Sequence, residues 1–302
     1  MEMILNKILP AYICNAISNL DSNRIYELRL RNKVSINYGG VYYYLNENGL
    51  SGDINQALSL SSITIEEIVM RAAQHSIYAV NNQICEGYIT LAGGYRMGIS
   101  GEIIFEDDKI KTIKNFSSLN LRIPHEIIGC GEKVNKIISN LGYNCLIVSS
   151  PGMGKTTLLR DLARILGNST PIQNILIVDE RSELASCVNG KAQLDVGINT
   201  DIMSNCTKQY AFEKGIRALR PDVIITDELF GESDILAVEN AIKCGVKVIA
   251  SAHSNNKENL YDKKGFKECI RNKLFDCYIF LDNSYGVGSI KNIFNREYEL
   301  CK

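Results

Sequence analysis

Short apolar runs and helical repeats alternate through the second half of the chain. Runs rich in Ile, Val and Leu predict buried strands near 145–149, 175–179, 222–227 and 246–251. After the first run, one face of a predicted helix carries the apolar residues 158, 159, 162, 165 and 166. Strands that alternate with helices are typical of a parallel sheet with helices on both faces. A hairpin near 277–282 and 288–293 is predicted to close one edge.

The first half of the chain shows a pattern typical of an α+β domain. Residues 1–20 carry apolar side chains at helical spacing, which predicts one amphipathic helix. Polar and apolar residues alternate from Arg24 to Arg31, as in a half-buried strand. A helix with a capping box is predicted to start at Thr64 and a second to cover 78–85, and a hairpin is predicted around Gly93. Other strands are predicted at 34–37, 41–45, 103–105, 110–113 and 119–123.

These two patterns divide the chain into two predicted domains. A smaller α+β N-terminal domain covers 1–124, and an α/β domain with a parallel sheet covers 125–302. The hinge is predicted at Pro124–Gly131, followed by a helix over Glu132–Leu141. With 302 residues, the chain is long enough for each domain to bury its own core.

Composition places the chain among ordinary globular proteins, with 45% hydrophobic and 22% charged residues and a net charge of -1. Neutral charge without a basic, aromatic-rich stripe argues against a nucleic-acid partner. No apolar run of about 18 residues occurs, and the N-terminus lacks the features of a signal peptide. We therefore expect a cytoplasmic protein, at most peripheral to a membrane. The ten scattered cysteines predict reduced thiols, and neither they nor the three histidines have the spacing of a zinc site.

The first strand of the second domain leads into a glycine-bearing loop, Ser149–Thr157. Strand, loop and helix form the context of a phosphate-binding loop, in which backbone N–H groups and the helix N-terminus attract phosphate. We predict that Lys155 contacts the β- and γ-phosphates of ATP and that the Thr156 hydroxyl holds Mg²⁺. The rest of the predicted cradle is Ser150, Pro151, Gly152, Met153, Gly154 and Thr157. Ser149 replaces the first glycine of the common motif, and a chance Gly-rich turn remains the alternative.

Two of the apolar strands end in Asp-Glu. One ends in Asp179-Glu180, with Glu183 three residues further on, and the other ends in Asp227-Glu228. Ligands of open α/β sheets lie beyond the carboxyl ends of the strands, so both pairs could face the phosphates. ATP hydrolysis requires a carboxylate for the metal and a residue that positions water. We assign Asp227 to Mg²⁺ and Glu228 to the water, with Glu180 or Glu183 assisting; the pattern leaves open which is the main base.

A fourth strand ends in His253. There its ring could sense the γ-phosphate by hydrogen bonding, whereas the alternative is an ordinary core or surface histidine. Arginines that could complete the site of a neighbouring subunit are less well marked. The candidates are Arg217, Arg220, Arg96 and Arg122, and a surface ion pair is the alternative for each.

The order of these motifs resembles that of the secretion and pilus-motor ATPases. Over nearly its full length the chain also resembles the stage III sporulation protein AA family of endospore-forming bacteria. The stretches that carry this second resemblance are Glu27–Arg31, Gly93–Gly98, Pro151–Asp161 and Val178–Glu183. Ser149 agrees with that family, whereas Asn199 stands where the family pattern would have an arginine.

The resemblance implies a RecA-like P-loop ATPase, one of the AAA+ type, that uses ATP and Mg²⁺. It also implies a homo-oligomeric ring, a hexamer, at the cytoplasmic face of a membrane. There the ring would be the motor of a secretion-like channel between mother cell and forespore, held by membrane-embedded channel components. Two alternatives remain open. One is a nucleic-acid-stimulated RecA-like ATPase, and the other is a nucleotide-gated assembly platform with little hydrolysis.

Overall fold

The computed structural model describes residues 2–282, 284–286 and 288–301, apart from the side chains of Glu2 and Met3. Met1 and Lys302, which the predicted domains include, lie outside the described residues. The chain forms two compact units. The first comprises Met1–His125 and Val188–Gln193, and the second comprises Glu126–Cys187 and Leu194–Lys302. No sequence pattern indicates that the short segment 188–193 groups with the first unit.

The first unit is an antiparallel sheet with helices. Its helices are α1 (Glu2–Ile8), α2 (Ala11–Ser18), α3 (Ser62–Ala72) and α4 (Ile77–Cys85). Its strands are β1 (Ile25–Leu30), β2 (Ser35–Tyr38), β3 (Val41–Asn46), β4 (Gly49–Ser51), β5 (Tyr88–Thr90), β6 (Arg96–Glu106) and β7 (Lys109–Arg122). They pair in the order β4-β3-β2-β1-β7-β6-β5. The half-buried strand predicted over 24–31 is confirmed as β1, whose Leu28 and Leu30 enter the core.

Three predictions for the first unit are wrong in detail. The helix predicted over 1–20 is two helices, because Pro10 lacks an N–H and ends the first of them. Helix α3 begins before Thr64, since the Ser61 hydroxyl is its cap and accepts from Thr64 N at 3.1 Å. The short strands predicted between 103 and 123 belong to the long strands β6 and β7. Asp107 and Asp108, both at positive φ, turn one strand into the other.

The second unit is built on a mostly parallel sheet. Its helices are α5 (Glu132–Leu141), α6 (Lys155–Gly167), α7 (Lys208–Leu219), α8 (Glu232–Lys243), α9 (Lys257–Tyr261) and α10 (Phe266–Arg271). Its strands are β8 (Cys145–Ser149), β9 (Ile175–Asp179), β10 (Thr200–Ser204), β11 (Val223–Thr226), β12 (Lys247–His253), β13 (Cys277–Asp282) and β14 (Ser289–Asn295). They pair in the order β10-β9-β11-β12-β8-β13-β14, and only β13–β14 is antiparallel among the described pairs. The predicted parallel sheet and edge hairpin are confirmed, whereas the polar edge strand β10 was not predicted.

Helices cover both faces of this sheet, as predicted. In β8, Cys145 and Ile147 pack with residues of α5 and α6, while Leu146 and Val148 pack with residues of α7 and α8. A strand buried on both faces must be apolar at every position, which explains the continuous apolar runs in the sequence. Because the central strands β9, β11, β12 and β8 are parallel, their carboxyl ends lie side by side at one edge of the sheet. Over the described residues, no helix is long and apolar enough to cross a membrane.

Candidate functional site

The loop Ser149–Thr157 joins β8 to α6 at the carboxyl edge of the sheet. Gly152 and Gly154 have φ values of +78° and +86°, a left-handed conformation that residues with a Cβ rarely adopt. An added Cβ at Gly152 would meet nothing within 4 Å, so the backbone conformation rather than a lack of space requires glycine there. No described side chain caps the N-terminus of α6. The N–H groups of its first turn can therefore bind an anion.

The Lys155 side chain is buried, and no carboxylate among the described residues forms an ion pair with its ammonium. The residue is 5% exposed. In the described chain, the hydrogen-bond partners of its Nζ are neutral and include the Ser149 O at 3.2 Å, the Ser150 O at 3.3 Å and the His253 Nδ1 at 2.8 Å. Burial lowers the pKa of Lys155, although nearby carboxylates oppose this. Since a buried cation without an ion-pair partner is unfavourable, this position favours an anionic ligand.

Thr156 and Asp227 form a pair of oxygen ligands beside this ammonium. The Thr156 Oγ1 donates to Asp227 Oδ2 at 2.7 Å, and Asp227 Oδ1 accepts from Ser251 Oγ at 2.5 Å. Mg²⁺ prefers oxygen ligands and is usually held by one or two carboxylates together with substrate phosphates. No group of three or more His, Cys, Asp or Glu residues among those described could hold a metal by itself. The donor set therefore suits Mg²⁺ that arrives with a nucleotide.

Glu228 and His253 lie next to each other and next to Lys155. Glu228 Oε1 is 3.5 Å from His253 Nε2, and Glu228 Oε2 accepts from Arg181 Nη1 at 3.1 Å. The backbone of Glu228 has φ +30°, and its N–H donates to Asp227 Oδ1 at 2.9 Å and to Ser251 Oγ at 3.0 Å. Because the Lys155 ammonium donates to Nδ1, the hydrogen-bond network places the ring proton on Nε2, facing Glu228.

Of the two glutamates predicted after β9, Glu180 pairs with a lysine of α7, and the contacts described for Glu183 belong to its main chain. Glu180 Oε2 accepts from Lys208 Nζ at 2.5 Å, and the same ammonium lies 3.8 Å from Asp234 Oδ2. Glu183 lies in the loop that follows β9, and its carbonyl accepts from Arg160 Nη2 at 2.8 Å. Their assistance in catalysis remains a prediction.

The sequence indicated only that the Asp179-Glu180 pair could face the phosphates, whereas the structure shows that the Asp179 carboxylate holds the loop that follows β9. This residue is 1% exposed, and its carboxylate accepts from the backbone N–H groups of Glu183, Leu184 and Ala185 at 2.8, 3.1 and 2.9 Å. Burial raises the pKa of Asp179, against the effect of these donors. A carboxylate at the end of an apolar strand and before a short polar loop was an available signal, because Asp often bonds the backbone that follows it.

Among the candidate arginines, Arg217 lies next to a glutamate of its own helix and Arg96 lies over an aromatic ring. Arg217 Nη1 lies 3.3 Å from Glu213 Oε1, one turn earlier on α7, and its side chain is 75% exposed. The Arg96 guanidinium lies 3.7 Å from the centre of the Tyr88 ring, and Arg96 stands directly opposite Arg122 in the β6–β7 pair. Any role in a neighbouring site remains a prediction.

Asp161, a residue of α6, binds the chain segment that precedes α5. Its carboxylate accepts from Gly131 N at 2.7 Å and from Arg164 Nε at 2.7 Å. Burial acts to raise the pKa of Asp161, but these donors outweigh it and hold the pKa below its usual range. A depressed pKa means that stability is present above the pKa of the unfolded chain and is lost as the pH falls through the folded pKa.

We expect Asp161→Asn to lower the free energy of unfolding by about 2–4 kcal/mol at pH 7, because it leaves the Arg164 guanidinium partly buried and unpaired. The difference from the wild type should begin to shrink as the pH falls below about 4, the pKa of an aspartate in the unfolded chain, and should be lost as the pH falls through the lower pKa of the folded carboxyl. Urea unfolding of both proteins at pH 7 and near pH 3 measures this. A difference that stays constant with pH would rule out the ionised carboxylate as its origin.

Known proteins match this chain over almost its whole length. The model of the family described as "Sporulation stage III, protein AA" matches residues 2–300. Stage III sporulation protein AA of Bacillus subtilis (strain 168) is 32% identical over 302 residues, which cover 96% of this chain and 94% of that protein.

Two solved structures share the fold. The ATPase DotB of Legionella pneumophila has a TM-score of 0.60 at 12% identity, over 96% of this chain and 82% of that chain. The pilus retraction motor PilT with bound ADP has a TM-score of 0.58 at 14% identity, over 95% of this chain and 80% of that chain. At identities this low, the similarity to these two structures shows the fold alone. It confirms the predicted RecA-like α/β fold.

Proposed function

We propose that this chain, which belongs to the sporulation stage III protein AA family, is an ATPase that drives a transport or assembly machine during endospore formation. The observation that carries the proposal is the buried Lys155 ammonium, whose hydrogen-bond partners in the described chain are all neutral and which lies at the uncapped N-terminus of α6. A polyphosphate would supply the negative charge that this position favours. The fold is shared with PilT, a motor described with bound ADP, and this supports ATP as the substrate.

In this proposal Lys155, Thr156, Asp227 and Glu228 each have a defined task. Lys155 neutralises phosphate charge, and the Thr156 hydroxyl and the Asp227 carboxylate hold Mg²⁺. The ion, when bound, would supply positive charge to the phosphates of the nucleotide. Glu228 orients the attacking water and accepts its proton, because it directly follows Asp227 and its backbone N–H donates to the Asp227 carboxylate.

His253 couples the phosphate to the base in the same proposal. Its Nδ1 accepts from Lys155 and its Nε2 faces Glu228. When Lys155 turns toward a phosphate, His253 loses this donor and its Nδ1 becomes available. The ring therefore reports the position of Lys155 to Glu228, which is how it would sense the γ-phosphate.

We further propose that the chain works as a homo-oligomeric ring, a hexamer, in the cytoplasm. Membrane-embedded channel components would hold it at the membrane between mother cell and forespore. This part rests on the family and on the shared fold with the pilus retraction motor. Native mass spectrometry with and without ATP and magnesium tests it. A chain that stays monomeric under both conditions would contradict the ring.

A nucleotide-gated platform with little hydrolysis is the second candidate function. It is favoured by the contact between Glu228 Oε2 and Arg181 Nη1 at 3.1 Å, because a carboxylate that is already paired is a weaker base. Turnover by the isolated chain that is much slower than nucleotide exchange would support it. An increase in turnover on adding single-stranded DNA would instead favour the nucleic-acid-stimulated ATPase.

We expect Asp227→Asn to raise the magnesium concentration needed for half-maximal ATP hydrolysis by about 10- to 100-fold, since the amide loses the charge that attracts the ion. Titration of magnesium at saturating ATP measures this. The matched control is Asp222→Asn, because Asp222 precedes β11 just as Asp227 follows it, at the opposite end of the same strand. If both variants respond alike, or neither shifts the magnesium requirement, Asp227 is not the metal ligand.

A further inference from the structure

Ser251 is a buried polar residue of the central strand β12. The strand is buried from Val248 to Ala252, and Ser251, which is 0% exposed, is the polar residue of that run. A hydroxyl that is removed from water is unfavourable unless it is hydrogen-bonded. The Ser251 hydroxyl is bonded both as donor and as acceptor, and both partners belong to the loop that follows β11. It therefore supplies hydrogen bonds to that loop that no apolar residue could supply.

The Ser251 hydroxyl holds one oxygen of the Asp227 carboxylate. Its Oγ donates to Asp227 Oδ1 at 2.5 Å, and the Glu228 N–H donates to the same oxygen at 2.9 Å. The other oxygen, Asp227 Oδ2, accepts from Thr156 Oγ1 at 2.7 Å. Because Ser251 and the main chain both bind Oδ1, the carboxylate is fixed with Oδ2 turned toward Thr156, the other residue proposed to hold Mg²⁺.

Ser251 also holds the main chain of the proposed base. Its Oγ accepts from Glu228 N at 3.0 Å, and its carbonyl accepts from Leu229 N at 2.7 Å. Glu228 has φ +30°, a conformation that residues with a Cβ rarely keep unless the surrounding contacts require it. Ser251 therefore bonds Asp227, Glu228 and Leu229 in turn. The first two of these residues are the proposed metal ligand and the proposed base.

We propose that Ser251 is a positioning residue of the nucleotide site: its hydroxyl sets the direction of the Asp227 carboxylate and fixes the backbone of Glu228. This inference rests on the proposed function, since that function assigns the metal to Asp227 and the attacking water to Glu228. A group that orients a metal ligand raises its affinity for the metal without touching the ion. In this scheme Ser251 touches neither the ion nor a reacting atom.

The first test measures nucleotide binding and needs no turnover. The dissociation constant of a fluorescent ATP analogue would be measured with magnesium and with a chelator. With magnesium, Ser251→Ala should bind about tenfold more weakly than the wild type, a loss of the size expected for one hydrogen bond to a charged group. With the chelator the two proteins should bind alike, because Lys155 and the rest of the phosphate-binding loop are unchanged.

Ser254 supplies the matched control, because it is a second buried serine three residues further along the chain. Its residue surface is 6% exposed, and its hydroxyl donates to Asn256 O at 3.0 Å. Ser254→Ala removes the same atom from a position that does not contact Asp227 or Glu228 through that hydroxyl. It should bind the analogue as the wild type does, with and without magnesium.

Three results of this comparison would overturn the inference. If Ser251→Ala and Ser254→Ala lose affinity equally, Ser251 serves only the fold. If Ser251→Ala loses as much affinity with the chelator as with magnesium, it does not act through the metal ligand. If its affinity with magnesium equals that of the wild type, the hydroxyl does not position Asp227.

The second test separates the hydrogen bond from the space that the side chain fills. Ser251→Cys fills that space, but its S–H is a weak donor. This variant should therefore lose about as much affinity with magnesium as Ser251→Ala. Wild-type affinity in Ser251→Cys would mean that packing matters and the hydrogen bond does not.

The third test is a double-mutant cycle with Ser251→Ala and Asp227→Asn, measured as the gain in affinity that magnesium brings. If Ser251 acts through Asp227, the double variant should gain about as much as Asp227→Asn alone. Losses that multiply would mean that the two residues act independently, and the proposed connection would be wrong.

The last test separates this inference from the proposed function. At saturating magnesium, Ser251→Ala should lower kcat about tenfold and leave KM for ATP nearly unchanged, because only the orientation of the base is lost. A wild-type kcat in Ser251→Ala would overturn the hold on Glu228. A wild type that binds ATP but does not hydrolyse it would refute the proposed function, and a tenfold loss in the binding test would then leave Ser251 its role toward Asp227 alone. A wild type that binds no ATP would refute both.

Discussion

Replacing Lys155 with Ala is expected to abolish the stabilisation of the protein by ATP and magnesium without unfolding it. The ammonium is buried among neutral acceptors, so its removal takes away an unfavourable buried charge as well as the contact to phosphate. A ligand that binds only the folded state raises the unfolding temperature, and without binding this rise disappears. Thermal unfolding of the wild type and the variant, each with and without ATP and magnesium, measures both effects.

Lys208 supplies the matched control, because it is a second buried lysine of the same unit. Its ammonium pairs with Glu180 at 2.5 Å and lies 3.8 Å from Asp234. Lys208→Ala should lower the unfolding temperature, since it leaves these carboxylates without their partner. Lys155→Ala should not. If Lys155→Ala unfolds the protein as readily as Lys208→Ala, the ammonium of Lys155 serves the fold and not a ligand.

Glu228→Gln is expected to slow ATP hydrolysis by about 10²- to 10⁴-fold, the usual contribution of a general base. The amide keeps the shape of the side chain and can still contact Arg181, but it cannot accept a proton from water. Binding should be preserved because the phosphate contacts come from other residues. Phosphate release in a single turnover, together with the affinity for a fluorescent ATP analogue, separates the two effects.

Glu239→Gln is the control for Glu228→Gln, because Glu239 pairs with Lys243 at 2.7 Å within α8 and has no assigned task. It should leave both rate and affinity unchanged. Wild-type turnover in Glu228→Gln would remove Glu228 from the reaction and return attention to Glu180 and Glu183.

Burial explains which strands could be predicted. Strands β8, β9, β11 and β12 are covered on both faces, so most of their positions are apolar and the runs stand out in the sequence. The edge strand β10, Thr200–Ser204, has no second neighbour and carries polar residues, so hydropathy did not mark it. Pro10 is a helix breaker that can be seen in the sequence. The apolar residues on both sides of it keep helical spacing, however, so the pattern predicted one continuous helix.

Some contacts of the candidate site follow from the strand order, whereas others depend on how separate elements pack. Lys155, Thr156, Asp227 and His253 lie together because parallel strands present their carboxyl ends at one edge, a rule that acts through topology alone. Glu180 also follows a strand end, yet its carboxylate turns to Lys208, a residue of another helix. That ion pair depends on how two elements pack. Spacing along the chain does not encode it.

The central claim, that this chain hydrolyses ATP at the loop carrying Lys155, is tested most directly by phosphate release from ATP. The wild type and Lys155→Ala would be purified in parallel and assayed with magnesium and with a chelator. The account predicts release by the wild type that requires magnesium, and none above background by the variant. Equal release by the two proteins, or no release by a wild type that binds ATP, would contradict it.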